Sequence, residues 1–300
     1  MKLLHYILHP SYITVKLAEY GIIRMDDYKY LTIKYKKEMN KEINFNRPKT
    51  FNEKINYLKL NCDAKKWSEY VDKYSVRNHI KDVLGEQYLI PLIGVYDSFE
   101  EIDFSSLPHK FVMKCTHDSG SVYVCKNKDE IPYSKLKKTF RKALKTNYSL
   151  RTKEKPYQYV TPRIIVEEYI EDDIQHELRD YKFFCFNGTV DCVMLCYDRN
   201  SGDTKFYFFD EKWNLLKYNV RGKKATSDFY VEKPLKIEEM FKIAKKLSED
   251  FPFVRIDLYL CNNQIYFGEY TFFPQSGWDP NLLPETDEYF GNLIKIEGID

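Results

Sequence analysis

The chain has 300 residues, 43% of them hydrophobic and 16% aromatic, enough apolar material for a core shared by two or three lobes. Its 47 Lys and Arg offset 45 Asp and Glu, and a net charge of +2 argues against a dedicated nucleic-acid binder, which is normally clearly basic. Seven scattered cysteines with no CxxC pair fit buried free thiols in a reducing cytoplasm better than a disulfide framework or a zinc site.

The N-terminal run MKLLHYILHPSYITVKLAEYG is interrupted by His5, His9, Pro10 and Lys16. It is too broken for a secretory signal and too short for a membrane span of about 20 apolar residues. It reads as helical and cytoplasmic. Residues 1–90 read as a mostly helical region. Phe51, Ile55, Leu58 and Leu60 mark one helix, with Thr50 or Asn52 as its cap. Val71, Tyr74, Ile80, Val83 and Leu84 mark another over 71–84, stopped by Gly85.

From 91 to 165 the pattern is strand, polar loop, strand: Phe111–Lys114, then THDSG around Gly120, then SVYV. A lysine leaving a strand beside small residues is one way to hold phosphate, and an ordinary hairpin is the plainer reading. Residues 135–155 are basic, with Leu136, Phe140, Ala143 and Leu144 on one helical face. The solvated side of a helix explains this stretch, and weak contact with a membrane surface or an anionic glycan is the alternative.

From 166 to 300 strands dominate. RIIVEEYI (163–170) has the apolar start of a buried strand. A charged loop at 171–179 precedes DYKFFCFNGTVDCVMLCYDR, two strands turning at Asn187-Gly188. A second hairpin surrounds Asp210–Lys212, and 235–250 is an amphipathic helix.

The last hairpin organises the rest. In VRIDLYL, alternation puts Arg255 and Asp257 on one face, and in IYFGEYTFF it pairs Glu269 with Thr271. Asn262-Asn263 is a turn signal. A three-residue loop sets Asp257 opposite Glu269 and Arg255 opposite Thr271. A two-residue loop puts the two acids on opposite faces, because a one-residue slip inverts every side chain. Facing carboxylates repel unless compensated, and a divalent cation with hard oxygen ligands does this. The plain alternative is a solvated hairpin with Arg255 paired to one acid.

The order of these pieces resembles the ATP-grasp superfamily, and within it the TupA-like ATP-grasp proteins of cell-surface polysaccharide clusters. The matching stretches are FNEKINYLKL, DKYSVRNHI, LPHKFVMK, DYKFFCFNG, VRIDLY and YFGEYTFFPQSG, spanning about residues 50 to 280. The resemblance implies an α+β ATP-grasp fold, in which two α/β lobes clasp a nucleotide between antiparallel sheets. The lobes would be 91–165 and 166–300, preceded by the helical region 1–90. It implies ATP and Mg²⁺ as cofactors. Lys114 and the loop carrying Ser119, Gly120 and Ser121 would hold phosphates, and Glu168 and Ile170 the adenine. Lys182 would touch phosphate, and Arg255 would stabilise the transferring phosphoryl group. Asp257, Glu269 and Thr271 would bind the metal, and Ser276 and Gly277 would line the acceptor side.

The resemblance further implies a carboxylate–amine ligase working through an acylphosphate on small molecules, joining an amino acid or amine to a uronic acid of a capsule or similar glycan. Three positions depart from the superfamily pattern. Thr271 stands where asparagine is usual, Lys182 stands where arginine is usual, and the phosphate loop is poor in glycine. Asp72, Lys73 and Arg77 match the branch without a role that the sequence defines. No nucleophilic triad is visible, and His117 is the one histidine near the expected site. A glycosyltransferase of the same pathways and a non-catalytic ATP-grasp scaffold are the rival readings.

Overall fold

The computed structural model describes residues 10–173, 178–198 and 202–296. The start of the N-terminal run (1–9), part of the charged loop (174–177) and the last four residues lie outside the described residues.

Two helices open the chain, α1 (Pro10–Glu19) and α2 (Asp27–Met39). Helix α3 (Phe51–Asn61) starts with a reciprocal capping box between Thr50 and Glu53. The helix expected over 71–84 starts later, as α5 (Val76–Val83), and Val71 instead closes a separate helix, α4 (Ala64–Val71). Asp72 causes the break. Its Oδ1 accepts the Tyr74 amide at 2.9 Å and its Oδ2 the Ser75 hydroxyl at 2.8 Å, a local bonding pattern that competes with the helix.

Strands β1 (Leu92–Tyr96), β2 (Phe111–Cys115), β3 (Val122–Cys125) and β4 (Ile164–Glu168) form an antiparallel sheet ordered β1-β4-β2-β3. Strand β4 lies wholly in this sheet, so residues 166–168 join the first sheet rather than the second. The basic segment forms α6 (Tyr133–Leu144) and the short α7 (Tyr148–Thr152). Leu136 and Phe140 of α6 pack with Phe111, Met113, Ile164 and Val166 on one face of the sheet. Lys137 and Arg141 turn outward and pair with Glu100. The opposite face, with Val112, Lys114 and Glu167, is left for a cleft.

The second sheet has six strands: β5 (Asp180–Phe186), β6 (Thr189–Tyr197), β7 (Lys205–Phe209), β8 (Leu215–Leu216), β9 (Phe253–Cys261) and β10 (Gln264–Thr271). Its order is β10-β9-β5-β6-β7-β8. Between β8 and β9 come the single turn α8 (Val220–Lys223) and α9 (Ile237–Ser248), and α10 (Pro284–Leu293) follows β10. Helix α9 covers one face of the sheet, with Phe241 edge-on to Phe183 at 5.1 Å.

The other face changes character along β5 and β9. Phe186 pairs with Phe253, then Phe184 with Arg255, Lys182 with Asp257 and Asp180 with Tyr259. Phe51 of α3 and Phe290 of α10 cover the aromatic end. That leaves the charged end facing the first sheet. Packing of aromatics at one end thus fixes the rungs that carry charge at the other.

Candidate active site

The β9–β10 turn has two residues, Asn262 and Asn263, both left-handed (φ 48° and 60°). Two-residue turns of this kind suit the twist of a hairpin. On spacing alone this turn would put the two acids on opposite faces. Yet Glu269 sits opposite Asp257, and Thr271 opposite Arg255. The register shifts by one residue between Phe267 and Glu269, a β-bulge at Gly268. A Cβ at Gly268 would lie 2.9 Å from the Asp257 carbonyl oxygen, so only glycine fits there without a shift. The phase of burial records the bulge. Ile265 and Phe267 are buried before it, and Tyr270 and Phe272 after it, so the alternation changes from odd to even. That change is visible in the sequence.

The hairpin therefore gathers Arg255, Asp257, Glu269 and Thr271 on one face. Asp257 is 1% exposed. Its oxygens meet Arg255 at 2.6 and 2.7 Å and also accept from Lys182. Burial opposes ionisation of Asp257, but the contacts with Arg255 and Lys182 outweigh it and hold the carboxyl below the usual range. Lys182 also lies 3.4 Å from Asp180. Glu269 is more open, 3.4 Å from Arg255 and 3.0 Å from the Thr271 hydroxyl. The plain expectation of a solvated hairpin with Arg255 paired to one acid is not met: Arg255 and Asp257 are buried, and Arg255 lies within 4 Å of both acids.

Across from this face stands the first sheet, and between them lies a cleft of about 460 Å³. Lys114, Ser119, Gly120, Glu168, Ile170, Lys182, Asp257 and Glu269 all line it, each named by the sequence reading. Its apolar wall is made by Val112, Val122 and Val124. Val122 and Val124 are 48% and 46% exposed, unusual for valines in a strand and explained by the cleft they face.

Three cleft residues had no assigned role in the sequence reading. Glu167, not its neighbour Glu168, meets Lys114 at 2.6 Å and Arg77 at 2.8 Å. Lys73 lines the cleft and donates to the Asp118 carbonyl, tying the helical region to the 117–121 loop. Burial pushes the Lys73 pKa down, against the pull of Glu269 and Asp118. Asp180 completes the floor. Strand alternation places Asp180 with Lys182, so this residue was readable.

Ser121 does not line the cleft. Its hydroxyl donates to Asp118, and its carbonyl accepts the Cys115 amide at 3.0 Å. His117 is buried and turned away, with Nε2 3.0 Å from the Ala143 carbonyl. Among the described residues no group of three His, Cys, Asp or Glu forms a metal cage. The donors present are two carboxylates and a hydroxyl, all hard oxygens. Such a set suits Mg²⁺, which is usually held by one or two carboxylates together with substrate phosphates.

A second cavity of about 470 Å³ adjoins the cleft and shares Ser119 and Glu269 with it. Arg255, Thr271 and Ser276 line this second cavity. Gly277 does not. Its carbonyl accepts from Asn56 at 2.6 Å, and a Cβ there would strike that amide. A third cavity of about 630 Å³ lies against Phe184, Met194, Phe206, Arg221 and Lys224, and Arg255 lines it too.

The family profile described as TupA-like ATPgrasp matches residues 53–295. No curated protein gives a match. Among solved structures, the chain is similar to D-alanine–D-alanine ligase from Helicobacter pylori at 16% identity and a TM-score of 0.39, over 76% of this chain and 62% of that one. The ATP complex of the Bacillus anthracis D-alanine–D-alanine ligase aligns at 14% identity and a TM-score of 0.43, over 73% and 63%. The ATP-grasp ligase PsnB, complexed with a precursor variant, Mg and ADP, aligns at 8% identity and a TM-score of 0.39, over 77% and 55%. The chain thus spans less than two thirds of the length of each of these three ligases. The family match covers most of the chain, and the protein belongs to the TupA-like ATP-grasp family.

Proposed function

We propose that this member of the TupA-like ATP-grasp family is an ATP-dependent carboxylate–amine ligase. The observation that carries the reading is the meeting of Lys114, Lys182, Asp257 and Glu269 in one cleft between two antiparallel sheets. Phosphoryl transfer needs positioned charge more than covalent help from the protein. The valine wall and the hinge residues Glu168 and Ile170 receive adenine. Lys114 and the loop with Ser119 and Gly120 receive phosphates, with Ser121 acting through Asp118 to shape that loop. In this reading residues 10–90 form a helical base, 91–168 the first lobe and 169–296 the second.

Asp257, Glu269 and Thr271 hold Mg²⁺, which supplies charge neutralisation on the transferring phosphoryl group. Lys182 and Arg255, both already in contact with Asp257, add fixed positive charge beside it. The acceptor carboxylate attacks the γ-phosphorus, ADP leaves, and an amine then displaces phosphate from the acylphosphate to give an amide. Ser276 lines the acceptor side, and buried Gly277 supports the turn behind it. The carboxylate is a uronic acid or similar group of a cell-surface polysaccharide, handled in the cytoplasm where ATP is made. Among the described residues no helix is long and apolar enough to cross a membrane.

The test is a coupled ADP-release screen of uronates and nucleotide-linked uronates against amino acids and amino sugars. The expected result is ADP and phosphate formed only when carboxylate and amine are both present. Release of UDP from a sugar donor, without ATP turnover, would replace this reading with a glycosyltransferase.

A further inference from the structure

The second cavity holds an acid that the phosphoryl-transfer chemistry does not use. Glu154 is 5% exposed and lies at the end of the basic segment, one residue beyond the left-handed Lys153. Its carboxylate accepts from the Ser276 hydroxyl. The cation nearest in kind, Lys59, is turned elsewhere. Lys59 donates to the Ser276 carbonyl at 2.6 Å and stacks on the Trp278 ring at 3.9 Å. So the acid is buried, singly bonded and open to the cavity, and its lysine neighbour holds the adjacent backbone.

The backbone there is strained. Gln275, Ser276 and Gly277 are all left-handed, at φ 48°, 55° and 67°. Non-glycine residues rarely adopt this conformation, and strain of this kind is kept where the surroundings enforce it. Lys59 and Asn56 enforce it by gripping two consecutive carbonyls. The result is a Ser276 hydroxyl aimed at Glu154 beside the shared wall with the nucleotide cleft.

Other groups lining the cavity are poorly suited to accept a proton. Glu19 is bonded to Lys16 and Lys34, and although burial opposes it these partners hold its carboxyl below the usual range. Burial pushes Tyr148 and Tyr157 up, so their phenols stay protonated. Glu269 belongs to the metal-binding set. Burial pushes Glu154 up too, and for a carboxylate that brings its proton affinity toward neutral, where a general base works best.

We propose that the second cavity receives the amine substrate and that Glu154 is the catalytic base that takes its proton. This rests on the ligase reading above. The amine enters in its neutral form, and its nitrogen attacks the acyl carbon of the acylphosphate. As the C–N bond forms, an N–H proton passes to the Glu154 carboxylate. The C–O bond to phosphate then breaks, inorganic phosphate leaves, and Glu154 returns its proton to water. Ser276, bonded to Glu154, is a positioning residue.

The test uses the full chain with ATP, Mg²⁺ and D-glucuronate or D-galacturonate as carboxylate probes. Each is offered either hydroxylamine, which is neutral near pH 7 and captures acylphosphates without a base, or glycine. In Glu154→Gln, hydroxamate should form within about threefold of wild type, while the glycine amide falls about a hundredfold, the usual size of a general-base contribution. Amide formation within threefold of wild type overturns the proposal. So does an equal fall in both products, which marks a structural role. If wild type makes neither product and turns over no ATP, the ligase reading falls and this proposal with it. Should Glu154→Gln fail to fold, Ser276→Ala should lower the ratio of amide to hydroxamate about tenfold, and an unchanged ratio overturns the proposal.

Discussion

Asp257 and Glu154 are both buried carboxylates with basic side chains close by, and the structure treats them in opposite ways. Asp257 touches Arg255 and Lys182 directly and is held ionised. Glu154 touches only a hydroxyl, while Lys59 spends its donor on a backbone carbonyl, and burial drives its pKa up. Burial is similar at the two sites, so contact decides. An acid that must stay charged is clamped by cations, and an acid with access to a cavity and no clamp is free to trade a proton.

The widest test of that contrast is Asp257→Asn. It leaves Arg255 and Lys182 facing a neutral amide in a buried site, which should cost about 3–5 kcal/mol of stability. Urea unfolding measures this, and Glu154→Gln should lose far less. Equal losses would erase the distinction between clamped and unclamped acids. Next in size is Gly268→Ala, whose Cβ would press on the Asp257 carbonyl. Overpacking of this sort costs about 1–3 kcal/mol, and here it should also reduce ATP turnover by disturbing the register.

Lys114→Ala should weaken ATP·Mg²⁺ binding about tenfold, or about 1.4 kcal/mol, by calorimetry. The nucleotide-free melting temperature should barely move, because Glu167 keeps Arg77. An equal loss of stability would make Lys114 a structural lysine.

The smallest effect is in the pH dependence, and its sign separates the two acids. The folded pKa of Glu154 is raised from 4.5 to about 7, so the stability it contributes is present at low pH and is lost as pH rises through about 7. The melting temperature of wild type relative to Glu154→Gln should therefore fall from pH 5 to 8. Burial lowers the Lys59 pKa and Glu154 raises it, so removing the acid lowers it further, which acts in the same direction. The folded pKa of Asp257 is depressed below 3.8, so its contribution is present above that value and is lost only as pH falls below it. Relative to Asp257→Asn, wild type should show no slope from pH 5 to 8. A common slope for both acids would refute the assignment.

Much of the site was readable because strand alternation is a rigid rule. Arg255 with Asp257, Lys182 with Asp180, and Glu269 with Thr271 follow from period two alone. The register between the strands did not follow from the turn, since Asn262-Asn263 predicts one pairing and Gly268 changes it. The helix expected over 71–84 begins only at Val76 for a local reason: an aspartate at 72 that prefers its own neighbours' donors to the helix. Glu154 and Lys59 could not be found by pattern. Both lie in charged stretches that resemble solvated helix faces, and only the fold brings residues 59, 154 and 276 together. Val122 and Val124 were read as an ordinary strand, since nothing in a tetrapeptide shows which face will meet an opposing sheet.

The bulge at Gly268 makes β10 two half-strands of opposite parity. Its first half is bound to the core through Ile265 and Phe267, and its second half turns Glu269 to the cleft and Glu269 and Thr271 to the adjoining cavity. Removing one residue at the joint would swing both oxygen-bearing side chains toward Tyr70 of α4 and His79 of α5, and would expose Tyr270 in their place. The hairpin thus behaves like a switch with one permitted setting. Length changes in this strand should be tolerated only in compensating pairs, one on each side of residue 268.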